Sequence, residues 1–321
     1  TMKSLKLSFR SYVLLFATIF LFAQCNDDDT STSEGNVRFE ITDAPIDDVE
    51  VKSVFVTITA IRVNGEIIEY FDGKQTIDLL AYQNGKVKGL GSADLEAGAY
   101  SDVELVLDYD SDQNGNAPGC YVLTNDGTKH ALKGSGNLSN TVNINGVFQV
   151  TEKDKTNLVL DFDVRKAVTY SDGSNSSDYS FVTDNEMNAT TRLVAKAKAG
   201  SIKGKVTNQS QAGSRIVVYA YKKGTYSESE AQPQGTSGIR FVNAISSDVV
   251  ANDGSYQISF LEEGDYELQF VGYEDTNNDG KLEIKGALLL DLIGNLDLNN
   301  ISVAANSEVS LDVEIKGVLP F

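Results

Sequence analysis

GSYQISFLEEGDYELQFVGY, residues 254–273, carries the clearest strand pattern in the sequence. Apolar and polar residues alternate on both sides of an acidic turn at residues 262–265, first as Tyr256, Ile258 and Phe260 and then as Tyr266, Leu268 and Phe270. Because successive side chains of a strand point to opposite faces, both sets should face one core. The stretch therefore predicts a β-hairpin in an antiparallel sheet.

Similar short alternations, separated by Gly, Asn and Asp turns, continue along the chain from Val37. In residues 54–63 they place Val54, Val56 and Ile58 on one face of a strand and Phe55, Thr57, Thr59 and Ile61 on the other. A change of pattern near Ala199 indicates a boundary. We predict an all-β chain of two antiparallel β-sandwich domains in tandem, residues 36–198 and 199–321, after a cleaved signal peptide.

The N-terminus is typical of an export signal. Residues 2–25, MKSLKLSFRSYVLLFATIFLFAQC, run from basic to apolar and end in a cysteine, which predicts a signal peptide over residues 1–24. The apolar run is about 12 residues long, against the roughly 20 that a helix needs to cross a bilayer. A permanent membrane span is therefore the weaker interpretation.

This segment resembles a bacterial lipoprotein signal, in which Cys25 becomes the acylated N-terminus. The following NDDDTSTSEGN resembles the acidic export signal of Bacteroidota lipoproteins displayed on the outer face of the outer membrane. We predict a lipidated Cys25 and an acidic tether over residues 25–35; the alternative for the acidic stretch is a plain solvated tether without an export signal. The resemblance implies a protein that is held to the outer membrane by its acyl chains and faces the cell exterior.

Charge and cysteine usage limit the possible partners and bonds. The formal net charge of −19 argues against nucleic acid, because phosphate binding needs clustered Lys and Arg. The chain has 2 cysteines, so a lipidated Cys25 leaves Cys120 without a partner in the chain. Cys120 begins an apolar strand pattern, which predicts a buried structural thiol.

No catalytic motif is recognisable in the sequence. His130 is the sole histidine and lies where a turn enters a strand, so we assign it a surface or pairing role. Paired carboxylates are abundant in so acidic a chain and therefore indicate little. The sequence also has no Trp for a sugar-stacking platform, although Tyr and Phe could substitute. We predict that the protein is not an enzyme.

Two loops have the oxygen spacing of a calcium site. Asp275, Asn277 and Asp279 precede Gly280, and Lys281 could add its carbonyl and Glu283 its carboxylate. The weaker candidate is Asp110, Asp112 and Asn114 before Gly115. Neither loop has a bidentate Glu at position 12, so any bound Ca²⁺ would brace a loop rather than act as a switch. The alternative is that Asp, Asn and Gly serve only the turns.

Two families share motifs with the chain. VRFEITDAPIDDVEVKSVFVTITAIRVNG and PGCYVLTNDGTKHALKG resemble an uncharacterised bacterial lipoprotein family, domain of unknown function 4382, over roughly residues 36–197; its most recognisable piece is Asp43, Ala44 and Pro45. GSIKGKVTN and NDGSYQISFLEEGDYELQFVGY are similar to carboxypeptidase-regulatory-like modules with a transthyretin-type β-sandwich. These resemblances imply a secreted β-rich domain followed by a spacer or binding platform.

The leading hypothesis is a non-enzymatic, surface-exposed outer-membrane lipoprotein that binds or scaffolds, with a glycan or an envelope protein as its partner. A purely structural envelope spacer is the second hypothesis. A hydrolase with an unrecognised site is the third.

Overall fold

The structure is a computed structural model that describes residues 33–44, 46, 48–68, 73–133, 139–144, 146–173, 176–277, 281–293 and 297–321. Cys25 and most of the predicted signal and tether lie outside the described residues. Glu34 and Gly35, which the tether prediction included, belong to the first strand. Within the described residues, no helix is both long and apolar enough to span a bilayer.

Strands up to Ala195 pair with one another and form the N-terminal domain. They are β1 (Glu34–Ala44), β2 (Val51–Val63), β3 (Glu66–Ile67), β4 (Gln75–Asp78), β5 (Lys88–Glu96), β6 (Gly98–Tyr100), β7 (Val103–Leu107), β8 (Tyr121–Thr124), β9 (Lys129–Ala131), β10 (Thr141–Ile144), β11 (Phe148–Val150), β12 (Lys155–Asp163), β13 (Val168–Gly173), β14 (Ser176–Phe181) and β15 (Thr191–Ala195). Two one-turn helices lie between strands, α1 (Val164–Ala167) and α2 (Asp184–Met187). Short 3-10 turns lie at Leu79–Ala81 and Lys196–Lys198.

Strands from Ala199 onward form the C-terminal domain. They are β16 (Ala199–Thr207), β17 (Arg215–Lys222), β18 (Ser246–Val249), β19 (Ser255–Glu262), β20 (Gly264–Glu274), β21 (Glu283–Ile293), β22 (Ile301–Val303), β23 (Glu308–Ser310) and β24 (Asp312–Leu319). Further 3-10 turns lie at Gln209–Gln211 and Glu228–Ala231. The predicted all-β class with two sheet-rich domains is confirmed. Both domains belong to one compact unit, Glu34–Phe321.

The N-terminal domain packs two main sheets around one core. One has the strand order β15-β12-β1-β5, and the other has β10-β7-β2-β8-β9, with β3 and β4 added along β2. The prediction of antiparallel strands is wrong for β1 and β12, which are parallel neighbours. The last six residues of β12 are all buried, as expected for a strand that is covered on both faces.

The C-terminal domain is organised around β16, which serves two sets of partners. Its first part pairs with β19 and β23, and its end pairs with β24. The pairs with β23 and β24 are parallel. From β24 the sheet continues through β21, β20 and β17 to β18, and β18 contacts β19, so the sheet folds back on itself around a core.

The predicted hairpin at residues 254–273 is wrong. β19 pairs with β16, and β20 pairs with β17, β21 and β22, so the turn between β19 and β20 connects two layers of the domain. Tyr256, Ile258, Tyr266, Leu268 and Phe270 do share one core, as predicted. Phe260 does not, because a bulge gives it a φ of 55° and turns Leu261 inward instead.

A second bulge corrects the prediction for β2. Val54, Val56 and Ile58 face the core as expected, but Ile61 also does, although simple alternation placed it on the opposite face. The register of β2 against β7 shifts between Ile58 and Ala60. The extra residue reverses the alternation beyond Ile58.

Candidate functional site

Cationic side chains of the N-terminal domain dock on backbone carbonyls of the C-terminal domain. Arg165 Nη1 donates to the carbonyls of Arg240 and Phe241, at 3.0 Å each. Lys166 Nζ donates to the carbonyl of Ala244, and Arg192 Nη1 donates to that of Phe260 at 2.7 Å. We call this set of contacts the joint. It satisfies carbonyls in an irregular segment and in the bulge of β19, where no ladder partner is available.

Arg165 is the central residue of the joint. It follows directly after β12 in α1, is 5% exposed, and its Nη2 donates to Asp163 Oδ2 at 2.8 Å. Its guanidinium also lies 5.3 Å from the ring centroid of Tyr219. A planar guanidinium suits this task because it can bind a carboxylate and two carbonyls in one plane. Removing it would leave Asp163 buried without this cation.

A half-buried carboxylate, that of Glu186, fixes the segment that receives Arg165. Glu186 Oε1 accepts from the backbone N–H groups of Thr236 and Ser237 at 2.8 and 3.0 Å, and Oε2 accepts from the hydroxyls of Ser237 and Thr183. Burial alone would raise the pKa of Glu186, but the hydrogen bonds from Ser237 and Thr183 outweigh it and lower the pKa to about 2. Gly235 has a φ of 68°, and a Cβ there would collide with Glu186 Oε1.

Beside the joint lies a cavity of about 270 Å³, which we call the crevice and define by Ile46, Asp48, Tyr170, Gly238, Arg240 and Lys281. Both domains line it. Tyr170 is half-buried, and Arg240 and Gly238 are exposed. The segment of residues 235–241 forms one wall, and the docked Arg165 and Glu186 hold that wall in place.

Lys281 is clamped at one side of the crevice. Its Nζ lies 3.0 Å from Asp48 Oδ2, 2.6 Å from Glu50 Oε2 and 4.0 Å from the ring centroid of Tyr170. It also donates to Tyr179 Oη at 3.1 Å, and Tyr179 Oη donates to Asp48 at 2.7 Å. Burial alone would lower the pKa of Lys281, but its hydrogen bonds to Glu50, Tyr179 and Asp48 raise it overall. The clamp ties the predicted calcium loop to the N-terminal domain.

The residues of that loop are only partly described. Asp279 lies outside the described residues, Asp275 is half-buried and Asn277 is exposed. Glu283 Oε2 accepts from the backbone N–H and the hydroxyl of Thr276, both at 2.8 Å, so its carboxylate already closes the turn. Calcium binding at this loop stays a prediction.

The weaker calcium loop is closed by its own hydrogen bonds. Asp112 is 8% exposed, and its Oδ1 accepts from the backbone N–H groups of Asn114 and Asn116 at 2.8 Å. Asp110 is exposed and donates its backbone N–H to Asp108. This is the turn chemistry expected of Asp and Asn. Across the described part of the chain, no three His, Cys, Asp or Glu side chains are grouped to hold a metal ion. Calcium binding at the loop of Asp110 and Asp112 also stays a prediction.

Three other residues that the sequence analysis singled out make packing or hydrogen-bond contacts within the fold. Cys120 is fully buried, and burial raises the pKa of its thiol to about 12, which confirms the predicted structural thiol. His130 is half-buried and packs edge-on against Tyr179 at 5.2 Å. Asp43 accepts from the backbone N–H of Val164 at 3.0 Å, and burial raises its pKa. Asp43 thus joins the end of β1 to the start of α1.

A polar contact remote from the crevice also links the domains. Asp248 in β18 is 3% exposed and accepts from the backbone N–H of Gln257 at 2.7 Å. With its amide nitrogen toward Asp248, Asn84 of the N-terminal domain donates to both carboxylate oxygens at 2.9 and 3.1 Å. Burial raises the pKa of Asp248 to about 7, although the hydrogen bonds from Gln257 and Val249 act in the opposite direction.

Sequence reasoning missed Arg165, Glu186 and Arg240. Glu186 had a readable signal, because Thr183 and Glu186 form a capping box, a motif with a recognisable spacing. Arg165 and Arg240 lie 75 residues apart, and nothing in the sequence pairs them.

Comparisons with known proteins support part of the resemblance found in the sequence. Residues 34–182 match the family model described as a domain of unknown function (DUF4382), which confirms that resemblance for most of the N-terminal domain. A search of curated proteins found no match. The likeness of the C-terminal domain to carboxypeptidase-regulatory-like modules stays a prediction.

Similar solved structures include the Bacillus anthracis TIE protein, with 11% identity, 88% of this chain and 34% of that chain covered, and a TM-score of 0.19. The chain thus spans about a third of that protein. A second is GBS52, the minor pilin of Streptococcus agalactiae, with 13% identity, 88% of this chain and 97% of that chain covered, and a TM-score of 0.21. A third is a putative adhesin from Bacteroides ovatus, with 10% identity, 89% of this chain and 94% of that chain covered, and a TM-score of 0.19. Superpositions at these scores support no conclusion about function.

Proposed function

We propose that the protein is a non-enzymatic binding or scaffolding module at the cell surface and that the crevice is its ligand site. The observation that carries the proposal is a concave site between two domains, with walls fixed by Arg165, Glu186 and Lys281. Preformed concave sites at domain boundaries are common ligand sites. Walls that are already ordered lose little entropy when a ligand binds.

The location is part of the same proposal. The leader and Cys25 would supply a lipid anchor, the acidic stretch would carry the protein to the outer face of the outer membrane, and a glycan or an envelope protein would be the partner. Treating whole cells with protease tests the display. Digestion of the protein on intact cells is expected, and protection until lysis would contradict it.

Binding is tested with the chain from Glu34 onward on an array of glycans and against envelope extracts. We expect a bound ligand whose capture weakens in Tyr170→Ala, since Tyr170 lines the crevice. Tyr82→Ala, a half-buried tyrosine that does not line the crevice, is the control. Binding that is unchanged in Tyr170→Ala would mean that the ligand site lies outside the crevice. No binding at all would favour the hypothesis of a structural envelope spacer.

A further inference from the structure

We infer that the crevice recognises an acidic sugar, such as a uronic acid unit of a polysaccharide, and that Arg240 binds its carboxylate. This inference rests on the proposed function and specifies the ligand class of the same site.

The crevice differs in charge from the chain as a whole. The whole chain carries −19, yet among the described residues that line the crevice the ionic side chains are Arg165, Arg240, Lys281 and Asp48. A larger cavity, of about 560 Å³ in the N-terminal domain, has a described lining with no Lys or Arg, and its ionic residues are Glu34, Glu66, Asp94 and Glu96. Because Asp163, Asp48 and Glu50 pair with Arg165 and Lys281, the charge that this concavity offers to a negative ligand is that of Arg240.

Of the three cations in the described lining of the crevice, Arg165 and Lys281 are already paired, which leaves Arg240 available. Arg165 is bound to Asp163 and to two carbonyls, and Lys281 is bound to Asp48 and Glu50. Arg240 is exposed, and its guanidinium makes no ion pair within the residues that the structure describes.

The backbone that carries Arg240 is preorganised. The carbonyl of Arg240 is held by Arg165 at 3.0 Å, and the chain shortly before it is held by Glu186 through Thr236 and Ser237. The backbone beneath an exposed cation is therefore fixed from the N-terminal domain. A fixed backbone reduces the ordering that binding requires, which is the property expected of a recognition arginine.

The volume of the crevice and the tyrosine in its lining favour a sugar as the ligand. The 270 Å³ of the crevice is slightly below the about 300–1,000 Å³ typical of drug-sized ligand pockets, so it suits one monosaccharide unit of a longer chain. Tyr170 lines the crevice with an aromatic ring that has a polar end, and Lys281 Nζ lies 4.0 Å from the centroid of that ring. The hydroxyls of a neutral sugar can accept N–H bonds from the guanidinium but do not balance its charge, whereas a carboxylate can accept two parallel N–H bonds and carries the opposite charge.

The experiment compares two forms of one polymer. Calorimetric titration of the chain from Glu34 onward with polygalacturonate should show binding, and the fully methyl-esterified polymer should bind at least about 10-fold more weakly, because the ester removes the charge. A sulfated neutral polymer separates carboxylate recognition from general attraction to anions. Equal binding of the ester, or tighter binding of the sulfated polymer, would overturn the inference.

Variants locate the contact. Arg240→Ala should weaken binding of polygalacturonate about 10-fold. Arg240→Lys should weaken it less, because lysine keeps the positive charge but lacks the planar guanidinium that donates two parallel N–H bonds. Arg38→Ala, which removes an arginine with a 58% exposed side chain outside the crevice, should change nothing. Equal losses in Arg240→Ala and Arg38→Ala would refute a site at Arg240.

The outcomes separate the two proposals. If the protein binds a neutral glycan and Tyr170→Ala weakens that binding while Arg240→Ala does not, the crevice is a binding site but its anionic specificity is wrong. If neither polygalacturonate nor any array ligand binds, both proposals fail.

Discussion

Replacing Asp248 by Asn is expected to stabilise the protein more at alkaline pH than in acid. Asp248 is 3% exposed, and its carboxylate faces the amide of Asn84 and the backbone N–H of Gln257. Burial raises its pKa from 3.8 to about 7, against the hydrogen bonds from Gln257 and Val249. Asn has nearly the same shape and can accept the bond from Gln257, but it never has to ionise.

The sign of the effect follows from where the proton is held. Because the pKa is raised in the folded state, the folded protein keeps a proton that the unfolded chain releases near pH 3.8. The contribution of Asp248 to the free energy of unfolding is therefore complete in acid and falls as pH rises toward 7. A pKa difference of about 3 corresponds to about 4 kcal/mol in total, of which about 2–3 kcal/mol is lost between pH 5 and pH 8.

Urea unfolding of the natural protein and of Asp248→Asn at pH 5, 6, 7 and 8 measures this directly. The difference between the two free energies of unfolding should grow by about 2–3 kcal/mol in favour of the variant from pH 5 to pH 8, while the contributions of other titrating groups cancel. Asp102→Asn, which removes an exposed carboxyl, is the control. A difference that is the same at pH 5 and pH 8 would refute the reasoning.

Three further predictions concern the crevice walls and the calcium loop. Glu186→Gln should lower the free energy of unfolding by about 1–2 kcal/mol at pH 7, and by less as pH falls from 4.5 toward 2, because the pKa of Glu186 is lowered in the folded protein. Asp184→Asn, at an exposed carboxyl, is the control. A loss of stability in Glu186→Gln that does not change with pH would contradict this prediction. Lys281→Met should cost about 1–2 kcal/mol in urea unfolding because Asp48 loses its cation, whereas Lys153→Met, at an exposed lysine, should cost little. Calcium should raise the melting temperature through the loop at Asp275, and identical melting curves in EDTA and in excess calcium would remove that idea.

The sequence predicted the class of structure well because strands produce a local signal, the alternation of apolar and polar residues. Alternation of apolar residues identified β2, β19 and β20 and placed most of their core residues correctly. It failed at Phe260 and Ile61, where bulges insert one residue and reverse the alternation. It also failed for the hairpin, since alternation in two neighbouring strands does not say whether they pair with each other or with distant partners.

The candidate site was less accessible to sequence reasoning. The crevice exists because Arg165, Glu186 and Asp48 meet residues more than 50 positions away in the chain. Each of these side chains alone reads as an ordinary charge on an acidic protein. Lys281 was selected from the sequence for its carbonyl, whereas the structure shows its ammonium in the clamp. Polar contacts of this kind depend on how the domains pack, which no local pattern specifies.

We expect the joint to make one unit of the two sheet-rich domains and so to fix the crevice between them. Differential scanning calorimetry of the chain from Glu34 onward measures whether the two domains unfold together. We expect one transition with equal calorimetric and van't Hoff enthalpies. Arg165→Met removes the cation at 2.8 Å from Asp163, while Lys166 stays at 3.7 Å, and should move that whole transition to lower temperature. Two separate transitions, with Arg165→Met shifting only one of them, would contradict the claim.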